Sequence, residues 1–325
     1  MYTETSSSTR WSPGRRLLLL SVLVVVLITL FMTIQLQGNI AYILKHRGQI
    51  LLTMALVAGA SGISTLLFQT ITQNRILTPS VMGLESLFVL LQTLLIFVLD
   101  IGGLNILGSI GRFLAEGALL VMFATLLYRW LLSGGGMDLH RVLLIGLVCG
   151  TLFRSASGLM QRLMSPGEFA VLQSRIFASF TRADSGVLMV SALIVLLISL
   201  WVWRIHHRLD VIALGANTAT ALGVPYRRNV TIILLLVALL VATSTALVGP
   251  MLFLGLLIVN LTYSLIGSWH HRYLLPGCVL TGMVALTGGQ LILERVLNMA
   301  GTLSVVIEFT GGALFICLLL KKATT

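Results

Sequence analysis

Long apolar runs separated by short polar breaks dominate the chain, and LLLLSVLVVVLITLFMTI, Leu17 to Ile34, sets the pattern. A half-buried strand would alternate apolar and polar residues, and a membrane β-barrel would repeat that alternation in segments of about ten residues. The runs here are continuous, so they are read as spanning helices of roughly 20 residues each. They predict spans at 17–36, 49–71, 83–99, 113–132, 141–163, 186–204, 229–248, 251–267, 273–294 and 303–320. The expected fold is all-α, a polytopic transmembrane helical bundle of about ten spans. Residues 1–16 form a tail and 17–325 a single transmembrane domain. The first apolar run is longer than the core of a secretory signal, and no A-x-A-like site follows it, so it is read as a retained span.

The breaks carry the remaining pattern. Pro79 in LTPSVMG and Pro250 in LVGPMLFLG each interrupt an apolar run, and similar breaks in the two halves hint at an internal inverted repeat, a common transporter plan. Small residues four apart, Ala55/Gly59, Ala58/Gly62 and Ala285/Gly289, predict close helix packing. The stretch 165–186, SPGEFAVLQSRIFASFTRADSG, is too polar to span. Phe169, Leu172, Ile176 and Phe180 recur there at near-helical spacing, which predicts an amphipathic helix on the outer surface. Another break, RLDVIALGANTATALGVPYRR from Arg208 to Arg228, is short, half-polar and fenced by arginines.

Composition agrees: 57% of residues are apolar and 10% charged, and the mean hydropathy of +1.03 lies far outside the soluble globular range. A net charge of +11 invites a nucleic-acid reading, but the bases are scattered over loops. They are better read as orientation, since Lys and Arg accumulate on the cytoplasmic side. Placing both termini in the cytoplasm puts Arg10, Arg15, Arg16, Arg75, Arg129, Arg141, Arg204, Arg208, Arg227, Arg228, Arg272, Lys321 and Lys322 inside. It leaves Lys45, Arg47, Arg112, Arg162, Arg175, Arg182 and Arg295 outside. Cys149, Cys278 and Cys317 sit singly in apolar runs and imply neither a disulfide framework nor a metal site.

Little chemistry is on offer. The only lysines are Lys45, Lys321 and Lys322, none of which follows a glycine, so a GxxxxGK[ST] phosphate loop is impossible. Four of the six histidines occur as adjacent pairs, His206/His207 and His270/His271. Neighbouring residues on a helix diverge, so these read as solvated interfacial side chains rather than metal ligands. Ionisable residues within spans are functional by default. Glu85 lies near a span end, and Glu116 has Arg112 one turn away, so both read as paired. Arg154, beside Ser155, Ser157 and Gln161, is expected to face a watery cavity, and Glu308, before Gly311-Gly312, to face inward. These acids form no row that would serve as a proton relay.

From Leu209 onward the chain resembles the permease subunits of the iron–siderophore and cobalamin class of ABC importers (FecCD-type). LDVIALGANTATALGVPYRR resembles that family's LD-x-LxLG-xxxAxxLGV segment, VGPMLFLGLLIVNL its GPIGFVGLIVPHI, and HRYLLPG its HRxLLP. Earlier, TQNRILTPSVMGLES resembles RNPLAxPxxLGxxxG, and on the family pattern the similarity covers almost the whole chain after Arg47. The resemblance implies the type II ABC importer permease fold, a ten-helix subunit in the bacterial inner membrane that dimerises around a central pathway. A separate ATP-binding subunit docks on the cytoplasmic side and an exported substrate-binding protein on the outer side. ATP is then bound by the partner, with no cofactor or bond chemistry on this chain.

The resemblance also assigns sites. Residues 208–228 become the coupling helices that sit in a cleft of the ATPase. Leu209, Ile212, Leu214, Ala216, Ala219 and Leu222 supply a small-residue, mildly apolar face, with Gly215 and Gly223 breaking the segment into two short helices. Lys45 or Arg47, with Arg295, are the bases that meet acidic residues of the binding protein. Arg154, Ser157, Gln161 and Glu308 are the expected pathway lining. Val259-Asn260 replaces the family's Pro-His, and TLSVVIE replaces ELPVGI. These departures, with the loop EFAVLQSRIFASF, resemble a branch in which two different permeases pair to move ferric catecholate siderophores. The expected function is a ferric siderophore permease. A cobalamin or haem permease, a stand-alone ion-coupled carrier, and a non-transporting receptor or scaffold remain as alternatives.

Overall fold

In the computed structural model, which describes residues 12–34, 39–103, 108–132, 139–181, 184–296 and 301–323, ten helices follow the ten predicted runs. They are α1 (Pro13–Thr33), α2 (Ile40–Thr72), α3 (Leu84–Gly103), α4 (Gly108–Leu132) and α5 (Leu139–Leu163) in the first half. In the second half come α7 (Ser185–Arg204), α10 (Tyr226–Val248), α11 (Leu254–Ile266), α12 (His271–Arg295) and α13 (Leu303–Ala323). Three shorter helices occupy the polar breaks: α6 (Pro166–Ile176), α8 (His206–Ile212) and α9 (Ala216–Ala221). The described residues contain no strand. Residues 1–11 of the tail and Arg182 lie outside the described residues, as do the side chains of Arg129, Arg141, Cys317, Lys321 and Lys322.

By length and composition α1, α2, α4, α7, α10 and α12 can each cross a bilayer, while α3, α11 and α13 are apolar over shorter stretches. The tenth, α5, is the most polar of the set because it carries Arg154 and Arg162. Burial sorts the helices into layers. In its apolar window α2 is 72% buried and α1 only 17%. Accordingly Leu18, Val22 and Val25 of α1, and Leu193, Leu196 and Leu200 of α7, lie on the outside of the bundle. In lipid an exposed leucine is ordinary, so these faces are the bundle's solvent boundary.

The centre is α2, which packs against α10, α11, α12 and α7. Its small residues allow this. A Cβ added at Gly62 would stand 3.1 Å from Cys278 Cβ of α12 and 3.0 Å from Ile258 Cγ2 of α11. One added at Gly282 of α12 would stand 2.7 Å from Ala58 Cβ. The Ala58/Gly62 pair thus forms the predicted close crossing, completed by a glycine that no spacing rule singled out. Around Gly59 the contacts are ordinary, 3.8 Å to Val195 and 3.9 Å to Val279.

Both proline breaks are local reversals of helix. Pro79 starts a 3-10 turn, Pro79–Met82, that leads into α3, and Pro250 lies in the non-helical link between α10 and α11. The outer amphipathic helix is shorter than predicted. A capping box, with Ser165 accepting from the Glu168 N–H and the Glu168 carboxylate accepting from the Ser165 N–H at 2.8 Å, starts α6. The helix stops at Ile176, because the following chain turns extended and Ser179 N–H donates to the Val248 carbonyl at 3.0 Å. Leu172 and Phe180 are buried against the bundle instead of resting on a surface.

The packing at Gly282 makes a direct prediction. Gly282→Val forces a side chain into Ala58 and Ile258 and should destabilise the detergent-solubilised chain by about 1–3 kcal/mol. By contrast, Gly288→Ala, with nothing within 4 Å of the new methyl, should stabilise by about 0.5–1 kcal/mol through helix propensity. Denaturant unfolding of the two variants checks the contrast.

Candidate functional site

Three polar places stand out: one at each end of the bundle and one between them. At the end where α1 finishes and α2 begins, the last carbonyls of α1 have no helical partner. Arg47 closes them, its Nη1 donating to the carbonyls of Phe31 at 2.8 Å, Met32 at 3.2 Å and Ile34 at 2.8 Å. Arg295 arrives from the end of α12, with Nη2 3.5 Å from the same Ile34 carbonyl. A cation is favoured at a helix C-terminus, so both guanidinium groups serve the end of α1. Lys45, by contrast, is exposed. The three bases expected to meet a binding protein therefore share one end of the bundle, and Lys45 alone of them projects freely.

Between the two ends, a cavity of about 260 Å³, open to the surface of the chain, lies between α3, α5, α13 and the Pro250 break. Arg154 and Glu308 line it, as the sequence suggested, together with Glu85, Ser86 and Ser304. Ser157 and Gln161 do not. Ser157 is buried, its hydroxyl 2.8 Å from Thr93 Oγ1 of α3, and Gln161 Nε2 donates to Ser157 Oγ at 2.8 Å. These two side chains clamp α5 to α3. Ser157 is one turn along the same face from Arg154, where α3 comes close enough for Thr93 to engage it.

Glu85 is the residue the sequence undervalued. It is 6% exposed, and Ser80 Oγ donates to its Oε1 at 2.6 Å. It forms a wall between the large cavity and a closed polar one of about 20 Å³, lined by Ser61, Ser64, Thr65, Ser80, Ser244 and Thr245, room for about one water. Position near a span end made it look interfacial. The 3-10 turn folds it inward, where both proline breaks meet. Glu116 is placed as expected, with Arg112 Nε 3.5 Å from its Oε1.

At the opposite end of α2 lies the segment 208–228. It forms the two short helices expected. Gly215 separates them with φ +101°, and a Cβ there would stand 2.8 Å from Gln73 Nε2 just past the end of α2. Gly223 closes α9 with φ +80°: its N–H donates to the Thr220 carbonyl and that of Val224 to the Ala219 carbonyl, each at 3.0 Å, a Schellman closure that requires the left-handed residue. The facing differs from the expectation. Leu209, Ile212 and Ala219 are fully buried against the bundle, whereas Leu214 and Leu222 are each 60% exposed and Ala216 is exposed. The apolar surface offered outward is thus Leu214, Ala216 and Leu222, and the three buried residues anchor it. Anchoring follows from helix geometry, because two short helices lying on a bundle must bury one face.

A polar contact adds to the anchor. Asp210 Oδ1 accepts from the His271 N–H at 2.9 Å and from Nδ1 at 2.6 Å, while His270 Nδ1 stands 3.6 Å from Oδ2. His271 is buried, and its Nε2 lies 2.8 Å from Thr70 Oγ1 of α2. This corrects the reading of His271 as a solvated side chain. Partial burial pushes the Asp210 carboxyl up, but the hydrogen bonds from His271 and the nearby imidazoles outweigh it and hold the group below the usual carboxylate range. A depressed value means the contact stabilises the fold above the ordinary carboxylate range and loses that contribution as pH falls through the folded value. The stability gap between the chain and Asp210→Asn should therefore be widest near neutral pH and shrink below about pH 4. Thermal unfolding across a pH series measures it, and a gap constant with pH would contradict the assignment.

Comparison with known proteins gives these features a setting. The chain matches the FecCD transport family over residues 16–321. It is 43% identical over 307 residues to the petrobactin import system permease protein YclO of Bacillus subtilis, covering 94% of this chain and 97% of that one. It is 35% identical over 280 residues to the petrobactin import system permease protein FatC of Bacillus anthracis, covering 86% and 79%. Among solved structures, an inward-facing putative metal-chelate type ABC transporter superimposes with a TM-score of 0.83 at 23% identity, over 95% of this chain and all of the other. The bundle therefore has the ABC importer permease fold, and this integral membrane protein belongs to the FecCD transport family.

Proposed function

We propose that the chain is the permease subunit of an ATP-driven importer of ferric siderophores, with petrobactin-class chelates as cargo. The observation that carries the mechanism is the α8–α9 segment. A chain without a phosphate loop offers an exposed apolar surface, Leu214, Ala216 and Leu222, on two short helices anchored in its own bundle. Such a surface suits a cleft on a separate ATP-binding subunit. ATP is bound and hydrolysed there; this chain holds no cofactor and performs no bond chemistry. The two petrobactin permeases among its relatives, 43% and 35% identical, favour a siderophore over cobalamin or haem.

In this reading the chain sits in the bacterial cytoplasmic membrane with both termini inside, and α8–α9 face the cytoplasm. Lys45, with Arg47 and Arg295 behind it, faces outward to an exported substrate-binding protein. A second permease, a different chain, faces the cavity lined by Glu85, Arg154 and Glu308, so that the pathway lies between the two subunits. Drawing the ATPases together shifts α8–α9, and the bundles alternate between outward and inward opening. Lipid surrounds α1 and α7, and nucleic acid has no part.

The surface makes the test. Leu214→Asp combined with Leu222→Asp alters only exposed positions, so the unfolding temperature should hardly move, as for surface changes within about 0.5 kcal/mol. Co-purification with the ATPase and uptake of ferric petrobactin by cells relying on this chain should both be lost. Retention of both activities by the folded double variant would refute the proposed docking surface.

A further inference from the structure

Burial holds α8 onto the bundle, but one contact does more than hold. Asp210 on α8, His271 at the start of α12 and Thr70 near the end of α2 form a continuous hydrogen-bonded line across three helices, with contacts of 2.6 Å and 2.8 Å. We propose that this Asp210–His271–Thr70 line is the rigid connection through which movement of the coupling segment reaches α2 and α12. The proposal rests on the permease reading and names the positioning residues within it.

The chemistry of the line suits a mechanical part. Asp210 Oδ1 receives both the backbone N–H and the ring Nδ1 of His271, so α8 is tied to the first residue of α12 by two bonds, one of which rotation of the imidazole does not release. The carboxylate fixes a proton on Nδ1. Thr70 has one hydroxyl proton and two acceptors in reach, the Leu66 carbonyl at 2.8 Å and His271 Nε2 at 2.8 Å. With a neutral imidazole the hydroxyl donates to Nε2; with an imidazolium Nε2–H donates to the hydroxyl, which turns to Leu66. The line is continuous in either charge state, so it transmits without acting as a pH switch. Its far ends matter as well. The helix that Thr70 joins is the buried centre of the bundle, and α12 runs from here to Arg295 at the other end. A displacement of α8 therefore has stiff routes into α2, whose Ser61, Ser64 and Thr65 line the small polar pocket beside Glu85, and into α12, which ends at Arg295.

The test uses the assembled importer in vesicles, with the binding protein and ferric petrobactin outside and ATP inside, and reads uptake per ATP hydrolysed. Asp210→Ala and His271→Ala should each lower that ratio by about fivefold or more, the scale of coupling between distant sites, while assembly and ATP hydrolysis persist. The double variant should be no worse than the more impaired single one, because both break the same line. His271→Asn, whose amide can donate where Nδ1 stood but cannot reach Thr70, should keep the Asp210 contact and still lower the ratio. Thr70→Val should lower it with the Asp210 contact intact. An unchanged ratio in the variants, multiplicative losses in the double variant, or a parallel fall of uptake and hydrolysis through failed assembly would each overturn the proposal. Absence of ATP-driven uptake with the unaltered chain would refute the permease reading itself, and this proposal with it.

Discussion

The close approach of α2 to its neighbours is the contact on which the rest of this bundle depends. Lipid supplies no hydrophobic drive between helices, so association relies on packing and on hydrogen bonds between them. Ala58, Gly62 and Gly282 bring the backbones of α2 and α12 together without side chains between them. The same helix ends beside the coupling segment at Gln73 and begins beside the basic residues at Arg47. A displaced α2 would thus disturb both ends of the molecule at once. Irregular backbone at membrane depth, such as the two proline breaks, is tolerated because this core surrounds it.

Polar groups serve distinct purposes at the three levels. At one end Arg47 and Arg295 close the carbonyls of α1, so charge there is partly structural and, of the three bases, Lys45 is the exposed one. In the middle, Ser157, Gln161 and Thr93 join α5 to α3, leaving Arg154, Glu85 and Glu308 around open space. At the other end, Asp210 and His271 bind the coupling segment, and its exposed leucines point away. Exposed apolar surface and internal fastening lie side by side on the same short helices.

The helices were legible in the sequence because continuous apolar runs leave few alternatives, and the ten runs fall on ten helices. Glycine signalled where the coupling segment divides, since positive φ at 215 and 223 is a local requirement. What the sequence did not reveal was direction. Leu209, Ile212 and Ala219 share their apolar character with Leu214 and Leu222, and only the packed bundle decides which of them turn inward. His271 looked like half of a solvated pair because its partners, Asp210 and Thr70, are remote in the chain. Glu85 looked interfacial because no pattern shows that Pro79–Met82 turns inward. Ser157 and Gln161 were grouped with Arg154 because they share its helix face, but their hydrogen bonds to each other and to the remote Thr93 take them out of the cavity. The end of α6 at Ile176 likewise depends on a bond to Val248, beyond any local signal.

The central claim is that a partner's ATP moves cargo through a pathway this chain helps to form. The most direct measurement is entry of ferric petrobactin into sealed vesicles of defined composition. Entry is expected only when this chain, the second permease and the ATPase share the membrane, the binding protein is outside and ATP is within. Entry into vesicles holding this chain alone, driven by an ion gradient and indifferent to ATP, would contradict the claim.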